Sequence, residues 1–193
     1  MTRLIRLSKV PIWYTEGFNR HPYITFALPL SLGFSSDYEV MDFRFDQDDF
    51  SLAEAKNMIV SVCPDGIEVI ALEEPVYKPG KIAMADFIVT FSVQSGIVPE
   101  AIEAFLSRTE ILVVKTTKRG GTKELNLAEK IVSYTASKTE DGICLTLRLP
   151  AGGQDNVNPK ILIDAFLAEQ GCKHTPYAVR RTALLLEDGT IFK

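Results

Sequence analysis

The stretch YITFALPLSLGFSSDYEVMDFRFDQDDFSLAEAKNMIV, Tyr23 to Val60, decides the fold. Ile24, Phe26 and Leu28 alternate with Tyr23, Thr25 and Ala27, the two-residue period of a strand with one buried face. Pro29 limits how central the far end of that strand can be. SLGFSSD is a turn-rich connection. After it, Met41, Phe43 and Phe45 fall on one face of a second strand and Tyr38, Val40, Asp42 and Arg44 on the other. Ser51 and Glu54 have the spacing of a capping box, and Leu52, Ala55, Ile59 and Val62 recur at helical intervals, so a helix is predicted from about Leu52 to Val62.

Working outward, MTRLIRLSKVPIW reads as a short helix with Leu4 and Leu7 on one side, stopped by Pro11, and without a cap at its start. CPDG ends the later helix, and IEVIAL (67–72) reads as a strand. From Met1 to about Glu74 the order is helix, strand, strand, helix, strand. Only a leading strand is missing from the split βαβ pattern of a ferredoxin-like domain. EEPVYKPGKIA, with Pro75, Pro79 and Gly80, is the linker.

The second half repeats that order. ADFIVTFSV is a strand, Pro99 opens a helix carrying Ile102, Phe105 and Leu106, and EILVVKTT is a strand followed by a reversal around Gly120 and Gly121. KIVSYTAS and GICLTLRL are strands joined through Asp141 and Gly142. Asn158 and Pro159 cap and open a helix closed by Gly171, and YAVRRTALLL is the last strand. The expectation is an α+β protein of two tandem ferredoxin-like domains: residues 1–75, lacking the leading strand, and residues 82–193, with an extra hairpin. No amino-acid repeat accompanies the repeated order.

With 193 residues and 46% hydrophobic composition the chain can bury a sizeable core. With a net charge of −4 a wholesale electrostatic grip on nucleic acid is not the default reading, and any such binding must use a local basic patch. Cys63, Cys144 and Cys172 are odd in number and far apart, which suits a reducing cytoplasm and suggests neither a disulfide framework nor a metal site. No apolar run approaches the roughly 20 residues that cross a bilayer.

Four places offer chemistry. GFNRHP brings Asn19, Arg20 and His21 together between Gly17 and Pro22, suited either to holding the loop or to contacting an anion. Trp13, Tyr14, Phe18 and Tyr23 lie near it and suit either base stacking or an aromatic shell around a strand. KTTKRGGTK holds Lys115, Lys118, Arg119 and Lys123 with no acid among them, so it is either a solvated hairpin tip or a contact for RNA or phosphate. Arg180 and Arg181 are adjacent in the last strand and must point to opposite faces, for ion pairing or for a ligand. Asp46, Asp48 and Asp49 lack calcium-loop spacing, and His174 sits in a polar loop outside any GxSxG, HExxH or CxxC signature. No catalytic residue is assigned.

Three segments, YTEGFNRHPYITFALPLSLGFSSDYEVMD, TKRGGTKELNL and RRTALLLEDG, resemble the bacterial radical-SAM-linked family that contains the DUF2344 domain. The resemblance spans nearly the whole chain. The family's commoner loop has proline at the position of Arg20, so a role for that arginine is not implied by the resemblance. It does imply that a strand and the opening of a helix precede LIRLSKVPIWYTEGFN, and this chain starts inside that helix, as a truncated form or one with a misplaced start codon would. It implies work with, or fusion to, a radical-SAM enzyme in an RNA-related setting. The chain has no CxxxCxxC run, so the iron–sulfur cluster and SAM would be carried by that partner and no cofactor by this chain.

The expected function is therefore that of a cytoplasmic, non-catalytic module binding RNA or an RNA-directed radical-SAM enzyme. Asn19, Arg20, His21, Lys118, Arg119, Lys123 and Arg181 would be its contacts. The alternatives are an enzyme of RNA or nucleotide metabolism using His21 and Arg181, and a structural adaptor for a protein partner.

Overall fold

The structure, a computed structural model, describes residues 1–116, 122–153 and 155–193, with the backbone alone at 115–116 and 122–123. The chain is α+β, and it divides into two compact units. The first comprises residues 1–27, 40–78 and Lys193. The second comprises residues 28–39 and 79–192.

In the first unit, helix α1 (Thr2–Ser8) ends on Lys9, which takes the left-handed conformation at φ 59°. Strands β1 (Ile24–Phe26) and β3 (Met41–Phe43) pair antiparallel, with Ile24 opposite Phe43, while β2 (Ser35–Ser36), between them in the chain, belongs to the second unit. Helix α2 (Leu52–Val60) follows, its first turn capped where Ser51 Oγ accepts the Glu54 amide at 3.4 Å. The core is Leu4, Ile5, Val10, Ile12, Ala55 and Ile59, with Ile24, Met41, Phe43 and Phe45 packed against it. The alternation read from the sequence thus turns the odd-numbered side chains of β3 to the helices, as expected.

The strand expected at IEVIAL does not form. Residues 67–72 carry no strand hydrogen bonds, although Val69 and Leu72 still pack on the core. The reason lies in sheet order, and the second unit shows it. There β4 (Met84–Ser92), helix α3 (Pro99–Leu106), β5 (Leu112–Thr116), β6 (Thr122–Asn126), β7 (Ser133–Thr139), β8 (Gly142–Pro150), helix α4 (Pro159–Glu169) and β9 (Tyr177–Leu185) follow one another.

The main sheet has the order β2-β9-β4-β8-β7, with β4 antiparallel to both β8 and β9. The last strand of that unit is held by its first. Among the described residues of the first unit no strand occupies the equivalent place, so 67–72 has no ladder to join. The strand expected at EILVVKTT forms as β5, and it pairs antiparallel with β6 in a hairpin separate from the main sheet.

Phe87, Val89 and Phe91 of β4 and Leu145, Leu147 and Leu149 of β8 form the buried face of that sheet. Phe166 of α4 meets Phe91 edge-on at 6.5 Å and Phe105 of α3 at 5.5 Å, which fixes both helices on that face. Asn158 Oδ1 accepts the Lys160 amide at 2.9 Å, the cap read from the sequence. Gly142 is required in the β7–β8 turn. A Cβ there would stand 1.9 Å from the Phe91 carbonyl oxygen, at a φ of 143°.

Residues 28–39, which contain the SLGFSSD connection, are a docked arm. Its β2 runs parallel to β9, Phe34 meets Phe87 edge-on at 6.5 Å, and the amide of Asn158 donates to Ser31 Oγ at 3.1 Å. The anchor is Arg181. It lies on the apolar face of β9, 3% exposed, and its guanidinium donates to Glu39 from Nε at 2.9 Å and from Nη2 at 2.6 Å, with a further bond to the Leu28 carbonyl at 2.6 Å. Arg180, on the opposite face, reaches Asp37 at 3.5 Å. Removing one partner of a buried pair leaves an uncompensated charge and costs roughly 3–5 kcal/mol, whereas replacing both with apolar residues is near neutral. Glu39→Ala is therefore expected to lower the unfolding free energy by on the order of 3 kcal/mol in urea titration, and Arg181→Met/Glu39→Leu to recover most of that loss.

Candidate nucleic-acid interface

The segment from Trp13 to Tyr23 folds back on itself. The Tyr23 amide donates to the Trp13 carbonyl and the Thr15 amide to the His21 carbonyl, both at 2.9 Å, and Tyr14 and Pro22 form an isolated antiparallel bridge. The Trp13 amide donates in turn to the Arg44 carbonyl at 2.8 Å, which ties this hairpin to the continuation of β3. Strand alternation then sorts the side chains. Ile12, Ile24, Phe43 and Phe45 face the core, while Trp13, Thr15, His21, Tyr23, Thr25, Asp42 and Arg44 lie on the outward face.

That outward face is an aromatic platform. Trp13 and Tyr23 pack edge to face at 5.6 Å, and the guanidinium of Arg44 lies over the indole at 5.7 Å. Tyr23 is about half exposed, and Phe18 at the hairpin tip is fully exposed. Arg20 joins Trp13, Tyr14, Glu16 and Asp46 around a cleft of about 280 Å³. Two exposed aromatics and a half-buried tryptophan, beside two arginines and an imidazole, can stack bases and bind backbone phosphate, with Glu16, Asp42 and Asp46 limiting the net attraction.

His21 is held in one orientation. Its Nδ1 lies 3.0 Å from the Asn19 carbonyl and 3.1 Å from Thr15 Oγ1, and its own amide donates to that hydroxyl at 3.2 Å. Asn19 thus contributes through its backbone. Arg20 is exposed, and neither it nor the imidazole Nε2 has a hydrogen-bond partner among the described residues. The hairpin brings Asn19, Arg20 and His21 together. Arg181 is in the second unit, where its guanidinium is taken up by Glu39 and Leu28. Lys118 and Arg119 lie outside the described residues, and Lys123 is placed by its backbone in β6, in register with Lys115.

Two features were not read from the sequence. Arg44 and Asp42 were assigned to an outer strand face, but nothing local to them signals that Trp13, some thirty residues earlier, shares it. A second cleft, of about 590 Å³, brings Ser92 and Gln94 at the end of β4 to Cys172, Lys173 and His174 before β9. Its walls come from segments far apart in the chain, so no spacing could announce it. Among the described residues no group of three or more His, Cys, Asp or Glu is placed to hold a metal ion.

An α+β chain with an outward aromatic sheet face is the class these observations define. Its residues 1–159 match the family model described as an uncharacterized protein conserved in bacteria, DUF2344, and the chain belongs to that family. No curated protein matches it. Among the described residues no helix is long and apolar enough to cross a membrane.

Asp42 gives the platform a pH signature. Burial raises its carboxyl above the ordinary 3.8. Between that value and the raised one, the folded protein holds a proton that the unfolded chain has released, so this group's contribution to stability falls as pH rises through the interval. Asp42→Asn is expected to melt at a higher temperature than the parent at pH 7. The gap should narrow as the pH is lowered to 3, as followed by circular dichroism.

Proposed function

We propose that this protein is a non-catalytic module that binds single-stranded RNA on the outward face of the β1–β3 sheet, alongside a radical-SAM enzyme that carries the iron–sulfur cluster and SAM. The observation that carries the RNA part is the half-buried Trp13 with the exposed Tyr23 and Phe18, beside Arg20 and Arg44. Sheet faces that stack bases on aromatic side chains are a common solution to RNA recognition, because every base has a π-face. The main sheet of the second unit makes a contrast: its outward face carries Asp86 paired to Arg148 at 2.7 Å, with Thr90 and Thr146 nearby and, among the described residues, no aromatic side chain. The radical-SAM partnership and a cytoplasmic setting are supported by the family resemblance alone.

Both units belong, in this proposal, to the ferredoxin-like pattern. Support comes from the antiparallel order β9-β4-β8-β7 with a helix after β4 and another after β8. The basic segment containing Lys118 and Arg119 would supply phosphate contacts of its own.

Stacking is worth about 1–3 kcal/mol per base. Trp13→Ala and Tyr23→Ala are therefore each expected to weaken filter binding of tRNA or rRNA fragments at low salt by roughly tenfold. Lys118→Ala/Arg119→Ala should lower affinity less at high salt than at low salt. Absence of detectable binding at low salt would refute the proposal, as would affinities unchanged in all of these variants.

A further inference from the structure

The geometry of His21 points to a way of telling RNA from DNA, an inference that rests on the RNA-binding reading above. We infer that the imidazole Nε2 of His21 accepts a hydrogen bond from the ribose 2′-hydroxyl of a strand laid on the Trp13–Tyr23 face.

The Asn19 carbonyl oxygen has no proton to give, and it lies 3.0 Å from Nδ1. The proton of the neutral ring must therefore sit on Nδ1. Thr15 Oγ1, at 3.1 Å from the same nitrogen, accepts the His21 amide and can also accept from Nδ1–H, so it is compatible with that tautomer. The other ring nitrogen is then a bare lone pair. His21 is exposed, and Nε2 has no partner among the described residues.

Next to the Arg20 guanidinium, a neutral lone-pair acceptor calls for a different kind of partner. The Arg20 guanidinium and the Asn19 side-chain amide can bind phosphate oxygens, whereas Nε2 in this state cannot, because both partners would present lone pairs. It needs a donor. Thr15 and His21 stand opposite each other on the same face as Trp13 and Tyr23, which sets the imidazole on the face where a base would stack. Donors on base edges differ from one base to the next. The 2′-hydroxyl is carried by every ribonucleotide and by no deoxyribonucleotide, and is therefore the donor that a sequence-tolerant stacking face meets at each position.

The test uses the full chain at low salt with three octamers sharing one base: oligouridylate, oligodeoxyuridylate, and 2′-O-methyl oligouridylate, which keeps the oxygen but has no hydrogen to donate. The parent protein is expected to bind the first about five- to tenfold more tightly than the other two, on the scale of one ordinary hydrogen bond. His21→Ala should bring all three to the affinity of the deoxy strand, and His21→Gln, whose amide oxygen still accepts, should retain part of the preference. Should the octamers bind equally to the parent, or the preference survive in His21→Ala, this inference is wrong while the RNA-binding reading stands. Should none of the three bind, the RNA-binding reading itself fails.

Discussion

Arg181 is a cation on the apolar face of a sheet, and the second unit is arranged around that fact. Withdrawing a guanidinium from water costs several kcal/mol even after relaxation, a cost offset only by good geometry and satisfied donors. The arm formed by residues 28–39 supplies both, through the Glu39 carboxylate and the Leu28 carbonyl. Once the arm is tied there, Ser36 and Asp37 fall beside β9, where the Asp37 amide donates to the Arg181 carbonyl at 2.9 Å and β2 covers the edge of the sheet. Tyr38 then donates to the Phe192 carbonyl at 2.8 Å. One ion pair thus fixes the path of a dozen residues.

The same arm explains the economy of the first unit. Ala27 and Val40, where the chain leaves and returns, are bonded to each other at 3.0 Å, so β1 and β3 pair as though the arm were an ordinary hairpin loop. That leaves a small sheet with one face on α1 and α2. The other face is free to carry Trp13, Tyr23, His21 and Arg44. A stacking surface needs such a face, since aromatic side chains buried under helices would be unavailable to a ligand.

Much of this was legible in local pattern. Alternation assigned the inner and outer residues of β3, Asn158 and Pro159 marked the start of α4, and Asp141–Gly142 marked the turn between β7 and β8. Ser51 was legible as a cap, although only its own hydroxyl bond forms, and α2 stops at Val60. What depended on distant partners was not legible. IEVIAL has the composition of a strand, but a strand exists only where a neighbour offers its backbone, and that is a property of sheet order. SLGFSSD has the composition of a loop, yet a short parallel pairing and a buried arginine beyond position 180 make it part of a sheet. For the interface, the polar hairpin was visible as GFNRHP, whereas its alliance with Arg44 and the tautomer of His21 follow from contacts that spacing does not encode.

Trp13 is the sole tryptophan of the chain and sits at the centre of the proposed stacking face, so its emission reports directly on whether a base arrives there. Titrating the full chain with single-stranded oligouridylate at low salt while following tryptophan fluorescence is the most direct test. The account predicts saturable quenching that weakens as salt is added. Emission that stays constant while the RNA is shown by filter retention to be bound would place the contact elsewhere and contradict it.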